Sequence, residues 1–176
     1  MMPRDFQRSR VYRAEWEMLE GRDVWTDLET CWYFLTDTVR TKWFVKQFPQ
    51  TFAALGGNRW PASGRVHPDQ YNPNRRLIYL HYGDRRNGLK LKPGYRRCYA
   101  EACYCTIVLP IWARNDLTLL HELAHICNFY EMKPVSAHGR EFVNTYLYLV
   151  QQTLGKETAA QLKNSMLSHK VKVDLA

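Results

Sequence analysis

Two histidines four residues apart, with a glutamate directly after the first, are the residues in this chain best placed to do chemistry: His121-Glu122-Leu123-Ala124-His125. On an α-helix, positions i and i+4 lie one turn apart on the same face, so both imidazoles can reach a single ion. Zinc takes nitrogen and sulfur ligands in a tetrahedral set, and a catalytic site keeps one position for water. Glu122 would then stand beside the ion as a general base, the division of labour that the HExxH pattern provides. The neighbouring residues predict the helix this requires. Asn115 or Asp116 can serve as N-cap, and neither Pro nor Gly interrupts residues 117–130. Leu120, Leu123, Ala124 and Cys127 give that helix a buried side, where unpartnered histidines would be costly. The preceding run Cys105-Thr106-Ile107-Val108-Leu109, ended by Pro110, reads as a strand.

A third ligand is required, and three residues compete for it. His138 opens His138-Gly139-Arg140-Glu141-Phe142 at the start of a further helix, where Gly139 lets the backbone turn and Phe142, Tyr146 and Leu149 form a stripe at helical spacing. Glu141 would instead complete a His-His-Glu set. Glu131 stands at the spacing of the third metzincin ligand, but Asn128 occupies the place where that pattern has Gly. His138 is the first choice, with Glu141 and Glu131 as alternatives.

His121-Glu122-x-x-His125 followed by His138-Gly139-x-x-Phe142 resembles the SprT-like metallopeptidases, whose third zinc ligand opens an HGxxF motif. The stretch Arg4-Asp5-Phe6-Gln7-Arg8-Ser9-Arg10-Val11-Tyr12-Arg13-Ala14-Glu15 looks like the N-terminal signature of a metallohydrolase family of actinobacteria and their phages. So do Ile111-Trp112-Ala113-Arg114 and the block from His138 to Val143. These pieces span most of the chain, and the resemblance implies one zincin-like domain holding zinc. It does not supply a substrate.

The elements that must position this site follow from composition and patterning. A chain of 176 residues suffices for one domain with a real core, and no stretch approaches the length of a membrane span. The start lacks the apolar core of a signal peptide. Five cysteines without a CxxC pair read as reduced, mostly buried thiols of a cytoplasmic protein, bacterial or host if phage-encoded. A second zinc cluster from Cys98, Cys103 and Cys105 is the lesser reading, with Cys103 and Cys105 on one strand face.

Residues 1–50 read as helical: one segment over 9–19 ended by Gly21, then a capping-box pattern at Thr26-Asp27-Leu28-Glu29. Leu28, Trp32, Leu35 and Val39 continue that second helix towards Phe48-Pro49. The strand region spans 59–110, including Arg76-Leu77-Ile78-Tyr79-Leu80-His81-Tyr82, with turn signals at Gly83-Asp84 and Asn87-Gly88. The metal-site helices occupy 115–154, helices over 141–154 and 156–167 flank Gly155, and 168–176 is a loose tail. The expected architecture is α+β, a small mainly antiparallel sheet packed on the HExxH helix.

The implied reaction is hydrolysis of an amide bond in a peptide or protein. Zinc would supply Lewis acidity, Glu122 would take a proton from the attacking water and hand it to the leaving amine, and Tyr146 and Arg140 are candidates for steadying the oxyanion. An extended peptide could pair with the strand at 107–109 if that strand is a sheet edge. The net charge of +8 raises an alternative. Arg75-Arg76, Arg85-Arg86, Lys90, Lys92 and Arg96-Arg97, interleaved with Tyr79, Tyr82, Tyr95 and Tyr99, could track DNA, making the protein a nucleic-acid-associated binding protein with a structural or vestigial zinc site. A solvated basic face is the plainer reading. His67, His81 and His169 show no ligand spacing and are taken as ordinary residues.

Overall fold

The N-terminal third folds as four helices where the hydrophobic spacing predicts two. The computed structural model describes residues 5–57, 66–68, 80–82, 88–94, 97, 99–132 and 136–174. Helix α1 (Arg8–Leu19) stops two residues before Gly21, whose φ of +79° only glycine adopts without strain. Helix α2 (Leu28–Arg40) is capped by Asp27, which accepts from the Thr30 N–H at 2.7 Å. The cap therefore sits one residue after the Thr26 that the capping-box reading implies, and Glu29 accepts from the Tyr33 hydroxyl instead. Thr41 then breaks the predicted long helix. Its extended backbone ends α2, and its hydroxyl accepts from Phe44 N to start α3 (Lys42–Gln47), after which Pro49 opens α4 (Pro49–Ala54).

Among the described residues five short strands follow: β1 (Val66–Pro68), β2 (Leu80–Tyr82), β3 (Lys90–Pro93), β4 (Glu101–Cys103) and β5 (Thr106–Leu109). They form one sheet in the order β1-β2-β3-β5-β4, antiparallel except for the parallel pair β3–β5. The sheet is thus mixed, with its antiparallel pairs in the majority as expected. Leu91 lies opposite Ile107, and both are fully buried with Leu109, so this part of the sheet faces the helices. The strand at 107–109 is not an edge, because β4 folds back along its outer side. The hairpin turns at Tyr104 and Cys105, with Tyr104 at φ +51°, which also separates Cys103 from Cys105 onto different elements. Cys103 is exposed, while Cys31 and Cys127 are buried free thiols.

Beyond a single 3₁₀ turn (Ile111–Ala113), helix α5 (Asp116–Glu131) runs through the centre of the molecule. Asn115, rather than Asp116, is its cap, accepting from Thr118 N at 2.8 Å; Asp116 is paired with Arg22 at 2.7 Å. Every residue from 117 to 124 is buried, so α5 is enclosed on all sides rather than along one stripe. Helix α6 (Arg140–Leu154) packs on α5, and α7 (Lys156–Ser168) packs on both α6 and α1.

The tail is not loose as far as Asp174. Val171 is buried, Lys172 N donates to Gln7 Oε1 at 2.9 Å, and Asp174 pairs with Arg140 at 3.1 Å. These contacts give it the partners that a polar, Lys-rich tail lacks when read alone. Among the described residues no helix is long and apolar enough to cross a membrane. Most of the basic run (Arg75, Arg76, Arg85, Arg86 and Arg96), together with Tyr79, Tyr95 and Cys98, lies outside the described residues, as do the turn signals at 83–84 and Asn87.

Candidate metal centre

Helix α5 brings His121 and His125 to one face, and the turn before α6 brings His138 against them. His121 Nε2 lies 3.1 Å from His125 Nε2 and 3.3 Å from His138 Nε2, and one ligand atom from each ring falls within 4.8 Å of the others. Tetrahedral zinc with bonds of about 2.05 Å would separate its nitrogen ligands by about 3.3 Å, so two of the three separations already match. His121 and His138 are buried. The alternatives for the third position stand elsewhere. Glu131 accepts from Thr51 N at 2.7 Å, and Glu141 is exposed in the first turn of α6. Gly139 has φ −68°, which any residue adopts, so it is not there to turn the chain. It is there for room: a Cβ would sit 3.1 Å from both Ser136 O and Glu141 Oε2.

The opposite edges of two of these rings meet carboxylates. His121 Nδ1 is 2.8 Å from Glu15 Oε1, and His138 Nδ1 is 2.7 Å from Asp5 Oδ2. A carboxylate only accepts, so in the neutral ring Nδ1 carries the proton and Nε2 presents a bare lone pair. Two such lone pairs then face each other at 3.3 Å. That arrangement is repulsive unless a proton or a metal cation lies between them, and a metal ion fits this donor set.

The electrostatics favour neutral imidazoles at two of the three rings and the charged form at the third. Burial, reinforced by the neighbouring histidines, holds His125 well below its ordinary value; burial and His121 also lower His138. Burial acts the same way on His121, but the charge and hydrogen bond of Glu15 outweigh it and raise that ring. Burial pushes the Glu122 carboxyl up to about 7, while His121 pulls against it. Glu122 also accepts a hydrogen bond from the backbone N–H of Ala102 on β4, so the HExxH helix and the sheet edge are joined at this side chain.

A cavity of about 340 Å³ opens over the centre, with Glu122, His125 and His138 in its floor. Its walls include Asp5, Arg8 and Tyr12 from the N-terminus and residues 99–102 from the β4 edge. Tyr12 stacks on His121 with centroids 5.5 Å apart, and Arg8 lies over the Tyr12 ring at 5.5 Å.

Neither candidate for oxyanion stabilisation lines this cavity. Tyr146 is fully buried, its hydroxyl donating to Glu15 Oε1 at 2.7 Å with Leu117 O at 3.2 Å, and Arg140 is exposed beside Asp174. Sequence reasoning missed Asp5, Arg8, Tyr12 and Glu15 as site residues. A signal existed: Glu15 falls on the buried stripe of α1 beside Val11 and Ala14, where an unpaired acid would be costly. His169 pairs with Glu17 at 2.8 Å, away from the centre, and His67 pairs opposite His81 in the β1–β2 register.

The three histidines can hold a metal ion, and the buried Glu122 carboxyl stands beside them. No family model, no curated protein and no solved structure matches this chain.

Proposed function

We propose that the chain is a zinc-dependent hydrolase, a peptidase of zincin-like build that cleaves amide bonds, as its likeness to the SprT-like metallopeptidases implies. One observation carries the reading. The buried Glu122 carboxyl shares a cavity with His125 and His138, whose ring nitrogens converge with one of His121 within 4.8 Å. A purely structural metal site has four protein ligands and no use for a base beside it.

Bound by His121, His125 and His138, zinc would supply Lewis acidity at the floor of the cavity. Glu122 accepts the proton released as water adds to the substrate carbonyl and returns it to the departing amine, a general-base role that its place beside the histidines in the cavity allows. Tyr12, rather than Tyr146, offers its hydroxyl from the cavity wall, and burial followed by the charge of Glu122 keeps that phenol protonated as a donor. An extended peptide lies along β4, the outer strand of the sheet among the described residues and part of the cavity wall, in place of the strand at 107–109.

Glu122→Gln tests the assignment. The variant should keep its metal and lose peptide turnover by at least about 10²-fold, the usual range of a general base. Turnover retained within a few-fold would remove Glu122 from the chemistry.

A further inference from the structure

We propose that the N-terminal segment is the positioning element of the metal centre, with Asp5 and Glu15 fixing the rings of His138 and His121 and thereby setting metal affinity. The inference rests on the three-histidine reading above.

The segment reaches the site across long stretches of sequence. Glu15 is 106 positions from His121 and Asp5 is 133 from His138, yet the bonds are 2.8 and 2.7 Å. Each carboxylate meets Nδ1, the nitrogen that is not needed for the metal, and so leaves Nε2 as the donor. Partial negative charge at Nδ1 also makes Nε2 more basic.

The two carboxylates are themselves held. Glu15 is buried on α1 and receives the Tyr146 hydroxyl from α6, so one oxygen ties α1, α5 and α6 together at the centre. Asp5 is backed by Gln7, whose amide donates to His138 O at 2.7 Å while its carbonyl accepts from Lys172 N. His138 is thus gripped from the same segment at its backbone and at its ring. Tyr12 covers the face of His121 between these two grips. His125 is oriented differently, by the face of Phe142 at 4.3 Å.

A role limited to anchoring α1 is separable from this one. Glu17 lies on the same helix and binds Ser165 at 2.7 Å and His169 at 2.8 Å, anchoring α1 to α7 without touching a histidine of the centre.

The experiment is competition of the 176-residue chain against a chromophoric chelator for Zn²⁺ and for Co²⁺, with the visible Co²⁺ spectrum recorded. Glu15→Gln and Asp5→Asn should each weaken both metals by about 10- to 100-fold and alter the cobalt bands, whereas Glu17→Gln should match the wild type. Asp5 lies ahead of α1, so Asp5→Asn keeps the test decisive if Glu15→Gln does not fold. Unchanged affinity and spectrum in Asp5→Asn and in folded Glu15→Gln, with wild type binding tightly, would overturn the positioning role and leave the metal site standing. Equal weakening in Glu17→Gln would reduce the effect to helix anchoring and overturn it as well. No binding by the wild type would overturn the three-histidine reading itself, and this inference with it.

Discussion

Replacing Tyr146 by phenylalanine removes one oxygen and leaves the ring in place against His121 and Phe142, at 5.4 and 5.9 Å. The hydroxyl has a single proton, and of its two acceptors the Glu15 carboxylate is the nearer, at 2.7 Å against 3.2 Å for Leu117 O. Burial, then the charge of Glu15, pushes the phenol well above its ordinary value, so it stays a donor across the working pH range. A buried hydrogen bond to a charged acceptor contributes about 1.5–3 kcal/mol. Leu117 O is less exposed to the change, since a carbonyl in the first turn of α5 also lies within reach of the helix ladder. Tyr146→Phe should therefore destabilise the metal-free protein by about 2 kcal/mol, and at about 2–4 °C per kcal/mol for a chain of this size the melting point falls by about 4–8 °C. Urea unfolding of wild type and variant, both stripped of metal, measures the difference. Peptide turnover by the metal-saturated variant should stay within a few-fold of wild type, whereas loss of an oxyanion donor costs about 10²–10³-fold. Unchanged stability together with a hundredfold loss of turnover would refute the assignment of this hydroxyl to Glu15 and return it to the chemistry.

Asp27→Ala should cost about 1 kcal/mol at pH 7 through loss of the α2 cap. The Thr30 N–H lowers the Asp27 pKa, so its stabilisation is present above the ordinary aspartate range and is lost as pH falls through the folded-state value. The gap between variant and wild type in an acid titration should therefore close below about pH 4, and a gap that widens there would contradict the sign. Mapped thiol labelling at pH 8 should find Cys103 well ahead of Cys31 and Cys127. Burial pushes the Cys31 thiol up to about 12 and Cys127 well above its usual value, while Cys103 is exposed. Equal rates for the three would mean that the core around α2 and α5 opens readily.

The histidine triad was legible because its ligands announce themselves locally: the i, i+4 pair needs only a helix, and His138 needs only the following one. The limits of α6 and α7 around Gly155 were legible for the same reason, since helical period and a glycine break are short-range signals. What the sequence did not disclose depends on contacts between distant segments. Tyr146 has the right residue type for oxyanion work, but its hydroxyl is claimed by Glu15 from α1, 131 positions away. The edge position passed from β5 to β4 because a hairpin at Tyr104-Cys105 decides which strand lies outside, and neither residue is a usual turn former. Thr41 splits a continuous apolar spacing into α2 and α3, a choice that side-chain capping makes and periodicity cannot reveal.

The proposed function requires that His121, His125 and His138 together hold one metal ion. Metal content per chain of the purified protein, after zinc is supplied and excess removed, tests it most directly. One tightly held equivalent is expected in the wild type and in Glu122→Gln, with loss of that equivalent in His121→Ala and in His138→Ala. A wild-type chain that retains no metal, or a His138→Ala chain that retains the full equivalent, would contradict it.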